Sequence, residues 1–524
     1  MPNSDTTKTR INRGQANKKG WRNLEVADGE PLTGRKPSET AETILSLIHI
    51  SDLHVCDAQS PARVEIMDRF ADPHHPMSEL VKLVGTYRAQ EIMTTQTLES
   101  MIRTVNKIEI GHTNRAIDAV VVTGDVTDNA QQNELHWYLN LMDGGLVHPD
   151  SGDLSKWEGV ATTDPAKYDR SYWNPEGTPE GLEDDYPRSL YGMPTIPGIT
   201  NAVRKPFTAE GLKHTWFATH GNHDALLQGT VVSDDVLTAF ATGDKRVAGI
   251  APDTDLGEMF GNFTQVGPTK YSKFEGGDFH DVTPDANRTF NQPSDWAKIH
   301  LDCGHGHGLT EENKADGTKY WYKDIGEIRL ISMDSVNTNG GWQGSLDEKQ
   351  FNWLKEVLKD PTPKYFILLS HHPVHTFFNL YAPEGADRRI GEEELVAELI
   401  KHNRIILWLA GHNHAHNVDY IGNEGFDGFW HIQTASNIDW PQQGRIVDII
   451  KDGNSIGIVT SVFDHESPID LEEAKKDLEN PISLAGISRI LSANHWQRRS
   501  GEFDLELMAG APEDRNRILW LRRA

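Results

Sequence analysis

Five short apolar runs in this 524-residue chain each end in a turn carrying aspartate, asparagine or histidine. The turns hold Asp52 and His54, Asp125, Asn222 with His223, His371, and His412 with His414. Oxygen and imidazole donors of this kind bind hard and borderline cations. With no cysteine among them, the set suits Mn, Fe or Zn rather than a thiolate-held structural zinc. Asp52, His54, Asp125, Asn222, His371, His412 and His414 are the candidate ligands, and they exceed what one ion needs. Two ions sharing a carboxylate account for all of them. Two cations roughly 3.5–4 Å apart clamp a phosphate, lower the pKa of a shared water, and neutralise charge on the attacking and leaving oxygens. A nearby imidazole can protonate the departing alkoxide, which gives His223 a role other than ligation.

These residues need elements that end at one place. Ile44–Ile50 reads as a buried first strand delivering Asp52 and His54, which lie two apart and would point the same way in an extended segment. Ala119–Val122 precedes Asp125, Trp216–Ala218 precedes Asn222, Tyr365–Leu369 precedes His371, and Ile405–Leu409 precedes His412. Between the strands, the spacing predicts helices over Ser78–Ile108, with Leu80, Leu83, Val84, Leu98, Met101, Ile102 and Val105 on one face, and over Glu392–His402. A third helix is expected after Gly344, with Ser345 and Glu348 at capping-box spacing. Ile328–Asp334 is a further strand, and others are read in Phe429–Thr434, Arg445–Ile450 and Ile456–Phe463. Two irregular stretches, about 144–213 and 243–320, are too long to be plain loops and read as insertions around the site. Residues 1–42 are expected as a polar, loosely packed tail, 43–465 as the catalytic domain and 466–524 as a helical extension.

The bulk figures narrow the function. A formal net charge of -27, from 51 basic and 78 acidic residues, disfavours binding to duplex nucleic acid or an anionic membrane face. A phosphorylated substrate remains compatible, because bound cations reverse the local field. Mean hydropathy is -0.56 and no apolar run has the length of a membrane span. Two cysteines, Cys56 and Cys303, build no disulfide framework. The N-terminal stretch has no apolar core of the kind a signal peptide needs, so a cytoplasmic location is expected.

In order, Asp52-x-His54, Gly124-Asp125-x-x-Asp128, Gly221-Asn222-His223-Asp224, His371-His372-Pro373 and Gly411-His412-Asn413-His414 closely resemble the motifs of the calcineurin-like metallophosphoesterase superfamily. The resemblance spans about 44–416. It implies an α/β fold, a four-layer αββα sandwich, here with large loop insertions. It implies that Asp52, His54 and His414 hold one metal, that Asn222, His371 and His412 hold the other, and that Asp125 bridges them. His223 would be the catalytic acid, with Asp224 orienting it. The activity implied is hydrolysis of a small or medium phosphomonoester or phosphodiester by a metal-bound hydroxide. The segment Asp57–Arg63, the insertions and the helical extension resemble a bacterial subgroup. Two competing readings are a metal-binding scaffold on the same fold and, disfavoured by acidity, a nuclease.

Other residues receive plainer readings. His372 is expected beside rather than on a metal, Asp128 as a loop tether, and His416 as either a partner of the site or a loop histidine. Cys303-Gly304-His305-Gly306-His307 lacks a fourth donor nearby and reads as a flexible loop. The rings of Trp157, Tyr168, Tyr172, Trp173, Tyr186 and Tyr191 are expected to pack the first insertion onto the core rather than stack on a base. Arg63, Arg69, Arg88, Arg170, Arg188 and Arg204 are unranked candidates for holding a phosphate oxygen.

Overall fold

The computed structural model describes residues 4–82, 85–264, 266–267, 277–423, 427–501 and 503–523. Two six-stranded sheets organise the chain. The first runs Arg517–Arg522, Ser455–Asp464, Gln443–Asp452, Glu42–Ile50, Ala119–Val122, Trp216–Ala218. The second runs Trp321–Ile325, Ile328–Ser332, Tyr365–Leu369, Ile405–Ala410, Asp427–Gln433, Asn417–Asn423. Each sheet has a parallel portion, Glu42–Ile50 through the edge strand Trp216–Ala218 in the first and Ile328–Ser332 through Asp427–Gln433 at the centre of the second.

Side-chain alternation makes the layers. Leu330, Ile367, Leu369, Leu407 and Leu409 join Leu47, Ile48, Val120 and Val121 of the first sheet in the main core. Their neighbours Ile331, Phe366, Leu368 and Trp408 face the other way, against Phe351, Leu354 and Leu358 of helix Glu348–Lys359 and Leu395 and Leu399 of helix Glu392–Leu399. The first sheet is covered by helices Thr94–Val105 and Gln132–Asp143, whose Leu98, Met101, Leu135 and Tyr138 share the main core. This is the four-layer αββα sandwich, and its near-continuous apolar strands are those of parallel sheets buried on both faces.

Four local expectations need correction. The helix read over Ser78–Ile108 begins only at Thr94, after a short 3-10 turn at Glu91–Met93; the preceding residues form turns, and Leu83 and Val84 lie outside the described residues. Leu80, read as part of that helical spacing, is exposed and lines the mouth of a cavity. The helix after Gly344 is capped by Asp347, which accepts from the Gln350 amide, while Ser345 takes a hydrogen bond from Arg389. Residues read as a loose tail pair as strands Thr9–Ala16 and Arg22–Asp28, with Ile11 and Leu24 buried against Ile490 and Leu505 of the C-terminal region. In that region, short helices are followed by a strand, Arg517–Arg522, which completes the first sheet.

The insertions have structure of their own. The first opens and closes on a two-stranded ribbon, Gly145–Val147 with Phe207–Ala209. Its Tyr172 and Trp173 are buried with Tyr87, Leu484 and Trp496, away from the central cavity. In the second, strands Lys245–Val247 and Phe279–Asp281 pair, and helix Leu256–Thr264 reaches over the carboxyl ends of the central strands.

Candidate metal centre

The carboxyl ends of the parallel strands from both sheets meet at one rim, the position where open α/β sheets place ligands. All seven candidate ligands come together there. Oxygen and nitrogen atoms of Asp52, His54 and His414 lie within 4.8 Å of one another, as do those of Asp52, Asp125 and His371, and those of His54, Asp125 and His223. The backbone route differs from the expected one. Asp52 and His54 are not extended but left-handed, with φ of 51° and 45°, and so are Asp125, His412 and His414 at 50°, 72° and 55°. Non-glycine residues in that region cost about 1–3 kcal/mol each and persist where their surroundings over-determine them. Here the surroundings are backbone bonds between loops: the Asp52 amide donates to the Gly124 carbonyl at 3.1 Å, and the His54 amide to the Asp125 carbonyl at 2.9 Å.

The imidazoles are locked with one nitrogen turned inward. His371 Nδ1 donates to the Thr123 carbonyl at 2.8 Å, leaving Nε2 at 3.1 Å from Asp125 Oδ2 and from His412 Nδ1. His414 Nδ1 is held by Asp439 Oδ2 at 2.7 Å, and His54 Nδ1 by Asp128 Oδ1 at 3.0 Å. Their free Nε2 atoms then face each other at 3.2 Å, an arrangement in which neutral rings of these tautomers have no proton to share. A cation between them resolves it, and outer-shell bonding of this kind is how metal-ligating histidines are oriented. Asn222 gives a second sign. Its Nδ2 donates to the Gly229 carbonyl at 2.9 Å, while its Oδ1 is buried without a partner. An orphaned buried amide oxygen beside histidines and a carboxylate fits a cation ligand. The donor set therefore suits metal.

Asp125 occupies the middle. Its Oδ1 accepts from the His223 amide at 2.9 Å, and its Oδ2 lies 3.1 Å from His371 Nε2 and 3.7 Å from His54 Nε2. Despite burial, the adjacent His371 holds its carboxyl well below the usual range. Against the same burial, Asp125 pushes His371 up to about 9.

His223 lines the cavity, and burial lowers its pKa to about 4, with Asp125 opposing. Its ring is oriented by the Asp128 carbonyl, which accepts from Nδ1 at 2.6 Å. Asp224, expected to orient it, does not touch it. That carboxylate takes the amides of Gly221, Val126 and Thr127 at 2.8–2.9 Å and ties two ligand-bearing loops together. His372 sits next to the cluster with both ring nitrogens engaged, by Ser335 Oγ at 2.8 Å and the Trp342 carbonyl at 2.9 Å. His416 bonds Gln443 and Arg445 away from the rim.

A cavity of about 530 Å³ opens onto Asp125, Asn222, His223, His412 and His414. Of the six arginines considered from sequence, Arg88 lines it; Arg63 pairs with Glu91 and Asp128, Arg204 with Asp150, and the others with Asp169, Glu183 and Asp185. Arg498, far away in sequence, joins Arg88, and both form ion pairs with Asp439, at 3.0 Å and 3.2 Å. No local pattern marks Arg498 or Asp439, since each becomes part of the site only through folding. Phe260, Phe263, Trp342 and Phe503 give the cavity an apolar side.

Residues 195–416 match the family model of the calcineurin-like phosphoesterases. The matched segment contains Asn222, His371, His412 and His414, while Asp52, His54 and Asp125 precede it and are brought in by the fold. Among solved structures the chain is similar to the Termus thermophilus sulfate thiohydrolase SoxB in complex with glycerol, at 11% identity and a TM-score of 0.27. That comparison covers 85% of this chain and 61% of the other, so the chain spans less than two thirds of its length. No curated protein matches the chain.

Proposed function

We propose that the chain is a dinuclear phosphoesterase acting on a small or medium phosphate ester, monoester or diester. The observation that carries this reading is the convergence of seven oxygen and imidazole donors around Asp125 at the floor of one cavity. Asp52, His54 and His414 would hold one ion, Asn222, His371 and His412 the other, and Asp125 would bridge them. Ions bound there would acidify water and neutralise charge on a phosphoryl group. Mn, Fe and Zn all suit these donors.

The chain's own residues would do the rest. His223 is the proton donor to the leaving oxygen. With Nδ1 already donating to Asp128, that role needs a second proton on Nε2, which an anionic phosphoryl group in the cavity favours. Arg88 and Arg498 suit a non-reacting phosphate oxygen, and the Phe260, Phe263 and Trp342 wall suits the apolar part of an ester.

The test is metal analysis of the purified chain reconstituted with Mn, Fe or Zn, followed by a screen of monoesters, cyclic nucleotides and glycerophosphodiesters. Two metals with turnover of at least one ester are expected. Two metals with no hydrolysis of any ester would favour a scaffold. His223→Ala should lower turnover about 10²–10⁴-fold with metal content intact. Asp125→Ala should lose both metal and activity, and retention of two tightly bound ions would sink the bridging assignment.

A further inference from the structure

Away from the central cavity, the loop Cys303-Gly304-His305-Gly306-His307 lies along the open edge of the first sheet, after helix Asp295–Asp302. The Ala218 amide donates to the His307 carbonyl at 3.2 Å, and the His307 ring stacks on Trp216 with centroids 3.3 Å apart. His307 Nδ1 donates to the Trp216 carbonyl at 3.1 Å. That bond fixes the tautomer and leaves Nε2 with its lone pair, as in histidines that bind metal.

Nε2 faces two further donors. Cys303 Sγ is 3.2 Å away and Asp143 Oδ1 is 3.5 Å away. Asp143 ends helix Gln132–Asp143, and its Oδ1 also accepts from Trp216 Nε1 at 3.0 Å, which aims the carboxylate. All three ligand atoms lie within 4.8 Å of one another. A zinc ion sits about 2.3 Å from sulfur and about 2.0–2.2 Å from nitrogen or oxygen, so tetrahedral ligands stand roughly 3.3–3.6 Å apart. The two separations from Nε2 already approximate that spacing. The sequence shows no fourth donor near the loop; the fold supplies Asp143 from far upstream. A water would complete four ligands, since the exposed His305, with its ring centroid 5.7 Å from that of His307, is not part of the group.

We propose that Asp143, Cys303 and His307 form a zinc site that fastens the second insertion to the edge of the first sheet. The ion replaces the thiol proton of Cys303, which leaves to solvent, and the resulting thiolate, the carboxylate and the neutral imidazole are the ligands. This site shares no residue with the cavity cluster, so it stands independently of the phosphoesterase reading.

The test uses the full chain stripped of zinc and titrated with Co²⁺. Wild type should develop an ultraviolet thiolate-to-cobalt charge-transfer band with tetrahedral visible bands. Cys303→Ser and His307→Gln should lose the charge-transfer band, while Cys56→Ser, which removes the buried second thiol, should keep it. Zinc content should fall by one equivalent in Cys303→Ser, with the ions of the central cluster retained. Absence of the band in wild type at saturating Co²⁺ would overturn the proposal, and so would a band that survives Cys303→Ser. The wild-type spectrum decides even if a variant fails to fold.

Discussion

Asn222 and His223 show how narrowly adjacent side chains are placed. They sit on a short turn, and both lean on Gly229, whose φ is 63°. A Cβ added there would overlap the Asn222 amide and the His223 ring. Gly411 is in the same position with respect to Asp52, since a Cβ at that point would overlap Ser51 and the Asp52 carboxylate. Glycine at these sites is a condition of the cluster's geometry rather than of chain flexibility. Gly229→Ala is therefore expected to displace the proposed ligand Asn222 and the proposed proton donor His223 together. Metal content should drop toward one ion, and turnover should fall at least about 10²-fold, the scale set by misplacing a reacting group by about 1 Å. A variant with both metals and wild-type turnover would show that Gly229 only fills a turn. The motif-borne candidate ligands were legible because each follows an apolar run. Gly229, Asp439 and Arg498 were not, since their roles arise from contacts between segments distant in sequence.

The strands were legible for the same physical reason that they work: parallel strands buried on both faces read as unbroken apolar runs, and their ends collect at one rim. What the pattern hid was local geometry. Left-handed backbone at Asp52, His54 and Asp125 runs against intrinsic preference, so alternation predicted the right convergence by the wrong route. It also hid polar residues inside strands. His431, on Asp427–Gln433, is buried against Trp408, and neither of its ring nitrogens finds a partner. Burial lowers its pKa from 6.5 to about 3. Unfolded chain takes up a proton as pH falls through 6.5 and folded chain does not, so His431 destabilises the fold progressively from pH 6.5 down to about 3, by up to about 1.4 kcal/mol per pH unit. His431→Leu should remove this contribution. Its stability relative to wild type, measured by denaturant titration, should climb on acidification below pH 6.5; a difference independent of pH would show that the ring titrates normally in the fold.

At the scale of the molecule, the two ends of the described chain close the first sheet. Strand Arg517–Arg522 pairs along Ser455–Asp464, from Arg517 opposite Thr460 to Arg522 opposite Ser455. Its outer side is covered in turn by the N-terminal segment: the Ile518 amide donates to the Thr33 carbonyl at 2.7 Å, the Thr33 amide to the Asn516 carbonyl at 3.1 Å, and Arg35 lies 3.8 Å over the Trp520 ring. A sheet edge left bare is a template for pairing with other chains, and this double covering removes it. Composition hid the arrangement, because the first 42 residues are polar and the last strand is preceded by short helices. Ile518, Leu519 and Leu521 are buried, and each such side chain contributes about 1.5–3 kcal/mol as an upper estimate. Together that rivals the net stability of a typical fold, about 5–15 kcal/mol. Deleting residues 516–524 should therefore lower Tm and produce concentration-dependent association through the uncovered Ser455–Asp464 edge. The Asp125 cluster lies at the carboxyl ends of Glu42–Ile50 and Ala119–Val122, separated from this edge by strands Ser455–Asp464 and Gln443–Asp452, so molecules that stay folded should keep the proposed metal binding. Scanning calorimetry and light scattering across a dilution series check both effects. An unchanged Tm with a concentration-independent mass would mean that the terminal strand is an ornament on a sheet already stable without it.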